Sequence, residues 1–213
     1  MKKDPKHLDL DFSLVPDLRP GDALFRRAAY WSRNAHLTLG GKGIESYAVG
    51  YKEAADVLAA RFLEDWQGMD GLVYPIVFLY RHALELRLKQ VIVAGQQLLD
   101  ISVDFQEELL DKHKLLELWK IYRKILRGVK CWPADPPQTL DAIEALVKDF
   151  DEKDPEGINF RYPHTIKRKG GKPTLPNLTH VDIKNLHEVM QRLAVFFERQ
   201  MDGIGEMLRE SPS

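Results

Sequence analysis

Four side chains on one apolar stretch carry the richest chemistry in this sequence: Arg81, His82, Glu85 and Lys89. At ~100° per residue on a helix, His82, Glu85 and Lys89 fall within about 60° of one another, with Arg81 about 100° before His82. Apolar side chains such as Leu79, Tyr80, Ala83, Leu84 and Leu88 occupy most of the remaining circumference. A polar stripe therefore runs down a helix that otherwise reads as buried. Unpaired charge is costly to bury, so the stripe must pair within itself, meet partners from another helix or subunit, or line a cleft. As an internal network, Glu85 would bond His82 and Lys89 and fix the helix register. As the floor of a site, His82 would titrate near neutral pH as a general acid or base, oriented by Glu85. Two further residues are placed to converge on it: His113, expected to open a helix on its polar face, and Arg161, on an extended segment before Tyr162-Pro163. Taken singly, His113 reads as a helix-start residue bonded to backbone or water. Arg161 reads as a salt-bridge partner of Asp151, Glu152 or Asp154.

Sharper templates fail. His187-Glu188-Val189-Met190-Gln191 begins like a zinc-protease helix but has glutamine where the second histidine ligand belongs. Neither Lys42 nor Lys172 has the surroundings of a phosphate loop, no serine sits in a nucleophile elbow, and no glycine fingerprint follows a strand. Cys131 is the only cysteine, which excludes an internal disulfide and a thiolate cluster for zinc and fits a reducing cytoplasm. Neither metal nor cofactor is expected.

The elements that position these residues follow from apolar spacing. With 213 residues, 44% hydrophobic and 31 basic against 32 acidic side chains, the chain can bury one sizeable core, and its balanced charge argues against a surface uniformly attractive to nucleic acid or membrane. Residues 1–42, rich in proline, glycine and charge, read as an N-terminal arm with an apolar cluster at Leu24, Phe25, Tyr30 and Trp31. Steps of three and four predict helices over Ile44–Trp66, Tyr74–Leu99 with Pro75 in the first turn, and Lys112 or His113 to Arg127. A fourth helix is predicted from an Asp135-Pro136 start to Phe150. A fifth is predicted from a Thr179/Asp182 capping box through Ile183, Leu186, Met190, Leu193, Phe197, Met201, Ile204 and Leu208. Charges at Arg81, Glu85, Arg87 and Lys89 interrupt the longest apolar stretch, so no membrane span is expected. Between the last two helices, residues 158–178 read as a small basic β-hairpin with Gly170-Gly171 at the turn and Lys167, Arg168, Lys169 and Lys172 near its tip. The expected fold is mainly α: a bundle of about five helices over residues 43–213 carrying that hairpin.

Tyr80-Arg81-His82-Ala83-Leu84-Glu85-Leu86-Arg87-Leu88-Lys89, His113-Lys114-Leu115-Leu116-Glu117-Leu118-Trp119 and Phe160-Arg161-Tyr162-Pro163, in that order, resemble small bacterial proteins related to the HEPN superfamily. The resemblance implies a helical bundle, often a homodimer, of toxin-antitoxin, phage-defence or RNA-processing systems, many members being metal-independent ribonucleases. The signature of those ribonucleases, an arginine and then a histidine with four to six residues between them, occurs at none of the seven histidines here. The family's activity does not carry over residue by residue, and the reading from the stripe itself is an RNA-directed cytoplasmic protein of a defence or toxin-antitoxin system in which, were it a ribonuclease, His82, Glu85, His113 and Arg161 would be the catalytic set. Arg81, Lys89, Lys167, Arg168, Lys169 and Lys172 would then hold phosphate or RNA. The alternative is a non-catalytic module, a dimeric bundle that binds a toxin or effector protein.

Overall fold

The computed structural model describes residues 17–25, 27–35, 37, 43–101, 109, 111–129, 136–166 and 169–210. The chain divides into two units, Met1–Lys42 and Gly43–Ser213. In the first, Trp31–Arg33 form one turn of 3-10 helix, and the Asn34 side chain ties it back by accepting from Ala28 N (2.7 Å) and donating to the Ala28 and Tyr30 carbonyls (both 3.0 Å).

The second unit is mainly helical, with five helices among the described residues: α1 (Ile44–Glu64), α2 (Val73–Leu98), α3 (Leu115–Gly128), α4 (Pro137–Lys153) and α5 (Ile183–Glu210). Helix α2 is the central one and packs on α1, α3 and α5; α1 also meets α5, and α3 meets α4. Alanines at 48, 55 and 59 are the buried residues of α1, which lets its backbone approach its neighbours closely. Gly95 does the same for α2 against α3, since a Cβ there would lie 2.5 Å from Ile125 Cγ2. Trp119 and Tyr122 from α3 and Phe196 and Phe197 from α5 form a chain of tilted and edge-on ring contacts in the core. Each such buried side chain contributes about 1.5–3 kcal/mol of transfer free energy. Buried Gln200 accepts there from the Tyr122 hydroxyl at 2.6 Å. No helix among the described residues is long and apolar enough to cross a membrane.

Several local expectations are corrected. Helix α3 starts at Leu115, with Lys114 extended before it, so His113 lies ahead of the helix. Its carbonyl accepts from a side chain of α2. Helix α4 has Pro137, not Pro136, at its first position, and Asp135 falls outside the described residues. Asp182 itself caps α5, accepting from Asn185 N (3.0 Å), while the Thr179 hydroxyl meets the neighbouring His180 ring instead.

The segment after α4 also departs from the extended reading. Asp154 Oδ1 accepts from the amides of Ile158 (2.6 Å) and Asn159 (2.9 Å), winding the chain so that Arg161 N and Tyr162 N both donate to Ile158 O. Arg161 therefore sits on a turn. Beyond it no strand is seen among the described residues. A single antiparallel bridge, His164 with Pro173, closes the loop, supported by Thr165 N to Lys172 O at 2.8 Å. Lys167 and Arg168, at the expected tip, lie outside the described residues.

Candidate functional site

The polar stripe on α2 separates into two faces. Arg81, Glu85 and Lys89, one turn apart, drift only about 40° per step and share the inner face. They are 1%, 2% and 2% exposed. Glu85 is the hub. Its Oε1 accepts from Lys89 Nζ (2.9 Å) and lies 3.1 Å from His113 Nδ1, while its Oε2 accepts from Arg81 Nη1 (3.2 Å). Burial alone would push its carboxyl pKa up; the Lys89 hydrogen bond and charge, the His113 hydrogen bond and the Arg81 charge outweigh that and hold it below the usual range. Glu85 is thus an ionised buried carboxylate.

Arg81 is engaged on every side. Nε donates to Asp154 O (2.7 Å), Nη2 to His113 O (2.7 Å) and Pro155 O (3.3 Å), and Nη1 to Glu85. The fully buried Asp154 carboxylate offers Oδ2 at 3.7 Å from Arg81 Nε, a charge contact too long for a hydrogen bond, and that oxygen has no hydrogen-bond partner among the described residues. Gly157, at φ +69°, lies directly against the guanidinium, and a Cβ there would come within 2.7 Å of Nη1.

His82 looks the other way and forms no hydrogen bond with Glu85. Its ring is edge-on to Tyr51 (4.5 Å between centroids) and stacked on Phe78 (5.9 Å, 7° between planes). Burial lowers its pKa; Glu85 opposes that, and the charges of Lys89, Arg81 and Arg161 add to it. The imidazole is therefore neutral at pH 7 and able to accept a proton. Arg161, exposed, lays its guanidinium over Phe78 (5.4 Å) and Tyr162 (5.8 Å). Among the described residues no carboxylate pairs with it: Asp154 is spent on backbone amides, and Asp151 faces Leu116 N.

These groups line one open cleft of about 790 Å³, whose wall includes His82, His113 and Arg161, with Lys112, Lys114 and Phe78 beside them and Arg81 and Glu85 at its floor. His113 is 54% exposed on its side chain, so Glu85 engages Nδ1 and leaves Nε2 as the nitrogen available to a ligand. The orienting role expected of Glu85 toward His82 thus falls on His113. Glu117 and Glu156 on the rim are occupied by Lys114 (3.3 Å) and Lys169 (2.7 Å), and Lys169 with its hydrogen bond and charge keeps the Glu156 carboxyl below its ordinary range. Of the cations expected to hold phosphate, Arg81 at the cleft floor is 1% exposed with its donors engaged by the protein, Lys89 is buried, Lys169 is paired with Glu156, and Lys172 belongs to the exposed loop facing Thr165. No group of three or more His, Cys, Asp or Glu side chains placed to hold a metal occurs among the described residues.

Lys112, Lys114, Tyr51 and Phe78 were not anticipated in the cleft, and neither was a second polar cluster on the α1–α2–α5 side. There Asp56 Oδ1 accepts from the Tyr80 hydroxyl and Gln191 Nε2 (both 2.7 Å), and Tyr80 Oη meets His187 Nδ1 at 2.7 Å. Lys52 Nζ bonds Asp56 Oδ2 (2.7 Å) and Gln191 Oε1 (2.6 Å). His187 and Gln191, the two ends of the rejected zinc template, do share a helix face, and that face meets Asp56. The i, i+4 spacing of Lys52 and Asp56 was the available signal. Comparison with protein-family models, with curated proteins and with solved structures finds no match.

Proposed function

We propose that the cleft is the active site of a metal-independent ribonuclease belonging to a bacterial defence or toxin-antitoxin system. The observation that carries this reading is the convergence of His82, His113 and Arg161, from three separate stretches of chain, on the wall of one open cleft, with Glu85 holding His113. The resemblance to HEPN-related proteins supports RNA as the polymer.

The roles follow from the surroundings. His82, kept neutral, takes the proton of an RNA 2′-hydroxyl. The 2′-oxygen bonds to the adjacent phosphorus, and the bond from phosphorus to the 5′-oxygen breaks. His113, bonded through Nδ1 to Glu85, gives a proton to the departing 5′-oxygen. The products are a 2′,3′-cyclic phosphate and a 5′-hydroxyl. Arg161, held on two rings rather than neutralised by a carboxylate, faces the charge that builds on the phosphoryl oxygens.

Labelled cellular RNA incubated with purified protein in chelator tests this. Cleavage with cyclic phosphate ends is expected, falling about 10²-fold or more in folded His82→Ala, His113→Ala and Arg161→Ala proteins. No cleavage by wild type, or equal cleavage by all four, rejects it. A second reading, a dimeric interaction module that binds a toxin or effector protein, draws on the exposed Val57, Leu63, Trp66 and Tyr74 around the α1–α2 connection.

A further inference from the structure

Arg81 was expected to reach toward phosphate. Its surroundings suit a different task. The cleft has two walls that belong to chain segments far apart in sequence: the stretch before α3, which carries His113, and the turn after α4, which carries Arg161. One guanidinium, 1% exposed, reaches both. Nη2 donates to the carbonyl of His113 on one wall and to that of Pro155 on the other, and Nε donates to Asp154 O. Nη1 donates to Glu85, the carboxylate that engages the His113 ring.

We propose that Arg81 is a positioning residue that couples the two walls of the cleft and so sets His113 and Arg161 at a fixed separation. The inference rests on the ribonuclease reading only for its catalytic consequence; the coupling itself is a property of the fold.

Three features make the clamp specific to arginine. The acceptors lie in three directions around the plane of the guanidinium, which a fork of five donors satisfies and a lysine ammonium on a single stem does not. The acceptors are mainly backbone carbonyls, so the residue fixes the course of the chain and not merely a side-chain rotamer. The far side of the group is closed by Gly157, whose positive φ and missing Cβ let the turn lie against Nη1. Asp154 completes the arrangement: its carbonyl accepts from Arg81, and its Oδ1 accepts from the amides of Ile158 and Asn159, so the clamp is transmitted along the turn toward Arg161.

The test compares wild type with Arg81→Lys and Gly157→Ala. The first keeps a cation and loses the fork; the second leaves Arg81 in place and pushes on it from the turn. Amide hydrogen exchange, which needs no activity, reads the coupling. Both variants are expected to raise exchange at least tenfold in residues 111–114 and 154–161 together, with the centres of α2 and α5 as protected as in wild type. Exchange that rises in only one of the two segments, or in neither, overturns the proposal. If Arg81→Lys fails to fold, Gly157→Ala decides alone.

The catalytic consequence is read as a split between kcat and KM on the same RNA. A fall in kcat of tenfold or more, with KM within threefold, is expected where the walls lose their registry. Coupled loosening with unchanged kcat overturns the positioning role. A wild type that cleaves no RNA defeats the ribonuclease reading, and the exchange data still decide the coupling.

Discussion

Replacing Glu85 by glutamine tests the buried hub directly. The carboxylate is 2% exposed and bonded to two cations that are equally buried, Arg81 at 3.2 Å and Lys89 at 2.9 Å. Glutamine keeps the shape and removes the charge. Arg81 retains its carbonyl acceptors and the Asp154 contact at 3.7 Å, but the buried cluster gains one uncompensated positive charge. The amide NH₂ would also point a donor at a donor on one side. Removing one partner of a buried ion pair costs about 3–5 kcal/mol. For a body of this size, at about 2–4 °C per kcal/mol, Tm should fall by about 6–20 °C. Urea unfolding at pH 7 followed by circular dichroism measures the free energy, and a thermal scan the Tm. The pH dependence supplies an internal control. The folded pKa of Glu85 is depressed below its ordinary 4.5, so its stabilising contribution is complete above that value and lost as pH falls through the folded pKa. The gap between wild type and Glu85→Gln should therefore be constant from pH 7 to about 5 and shrink below about 4.5. A Glu85→Gln protein within about 1 kcal/mol of wild type at pH 7, or a gap that does not close in acid, would refute the hub.

Other expectations are independent of it. Because burial and neighbouring cations lower the His82 pKa, the acid limb of a kcat/KM profile on RNA should bend below 6.5, with activity lost as pH falls through the bend; a bend at or above 6.5 contradicts its assignment as base. Tyr80→Phe removes the hydroxyl shared by Asp56 and His187, and should cost about 1–3 kcal/mol in chemical denaturation while leaving RNA cleavage within about twofold of wild type. Gly95→Ala forces a methyl to within 2.5 Å of Ile125 Cγ2 and should cost about 1–3 kcal/mol in the same assay. A neutral or stabilising result there would mean that α2 and α3 can separate freely.

The helices were readable because their burial is written in spacing. Leu115, Leu118, Trp119, Tyr122 and Ile125 recur as a seam and are the buried face of α3; Ile183, Met190, Leu193, Phe197 and Ile204 do the same on α5. The stripe on α2 was readable as charges on a buried helix, but the 60° grouping that joined His82 to Glu85 hid a closer relation, the i, i+4 series of Arg81, Glu85 and Lys89. His113 and Arg161 were misplaced locally for one reason: backbone course there is set by side chains distant in sequence. The Arg81 guanidinium anchors the His113 carbonyl ahead of α3, and a buried Asp154 carboxylate winds the turn that carries Arg161. Proline and glycine punctuation in residues 158–178 marked a reversal correctly but not whether it is a ladder or a loop closed by one bridge.

Glu85 joins stability and chemistry in a way that separates the cleft residues by phenotype. It is at once the counter-ion of two buried cations and the partner of the His113 ring, so its loss must register in both unfolding and turnover. His113 and Arg161 have the opposite profile. Their side chains stand largely in solvent, and their removal leaves no buried charge uncompensated. Substitution of Arg161 should leave stability within about 0.5 kcal/mol, as expected for a surface position, and His113→Ala should cost about 1–3 kcal/mol for the hydrogen bond that buried Glu85 loses, while both abolish cleavage. A protein in which the cleft is only architecture would show the reverse order, with Glu85 variants unstable and His113 and Arg161 variants silent in turnover. Measuring stability and turnover on variants at these three positions therefore distinguishes a reactive cleft from a structural one.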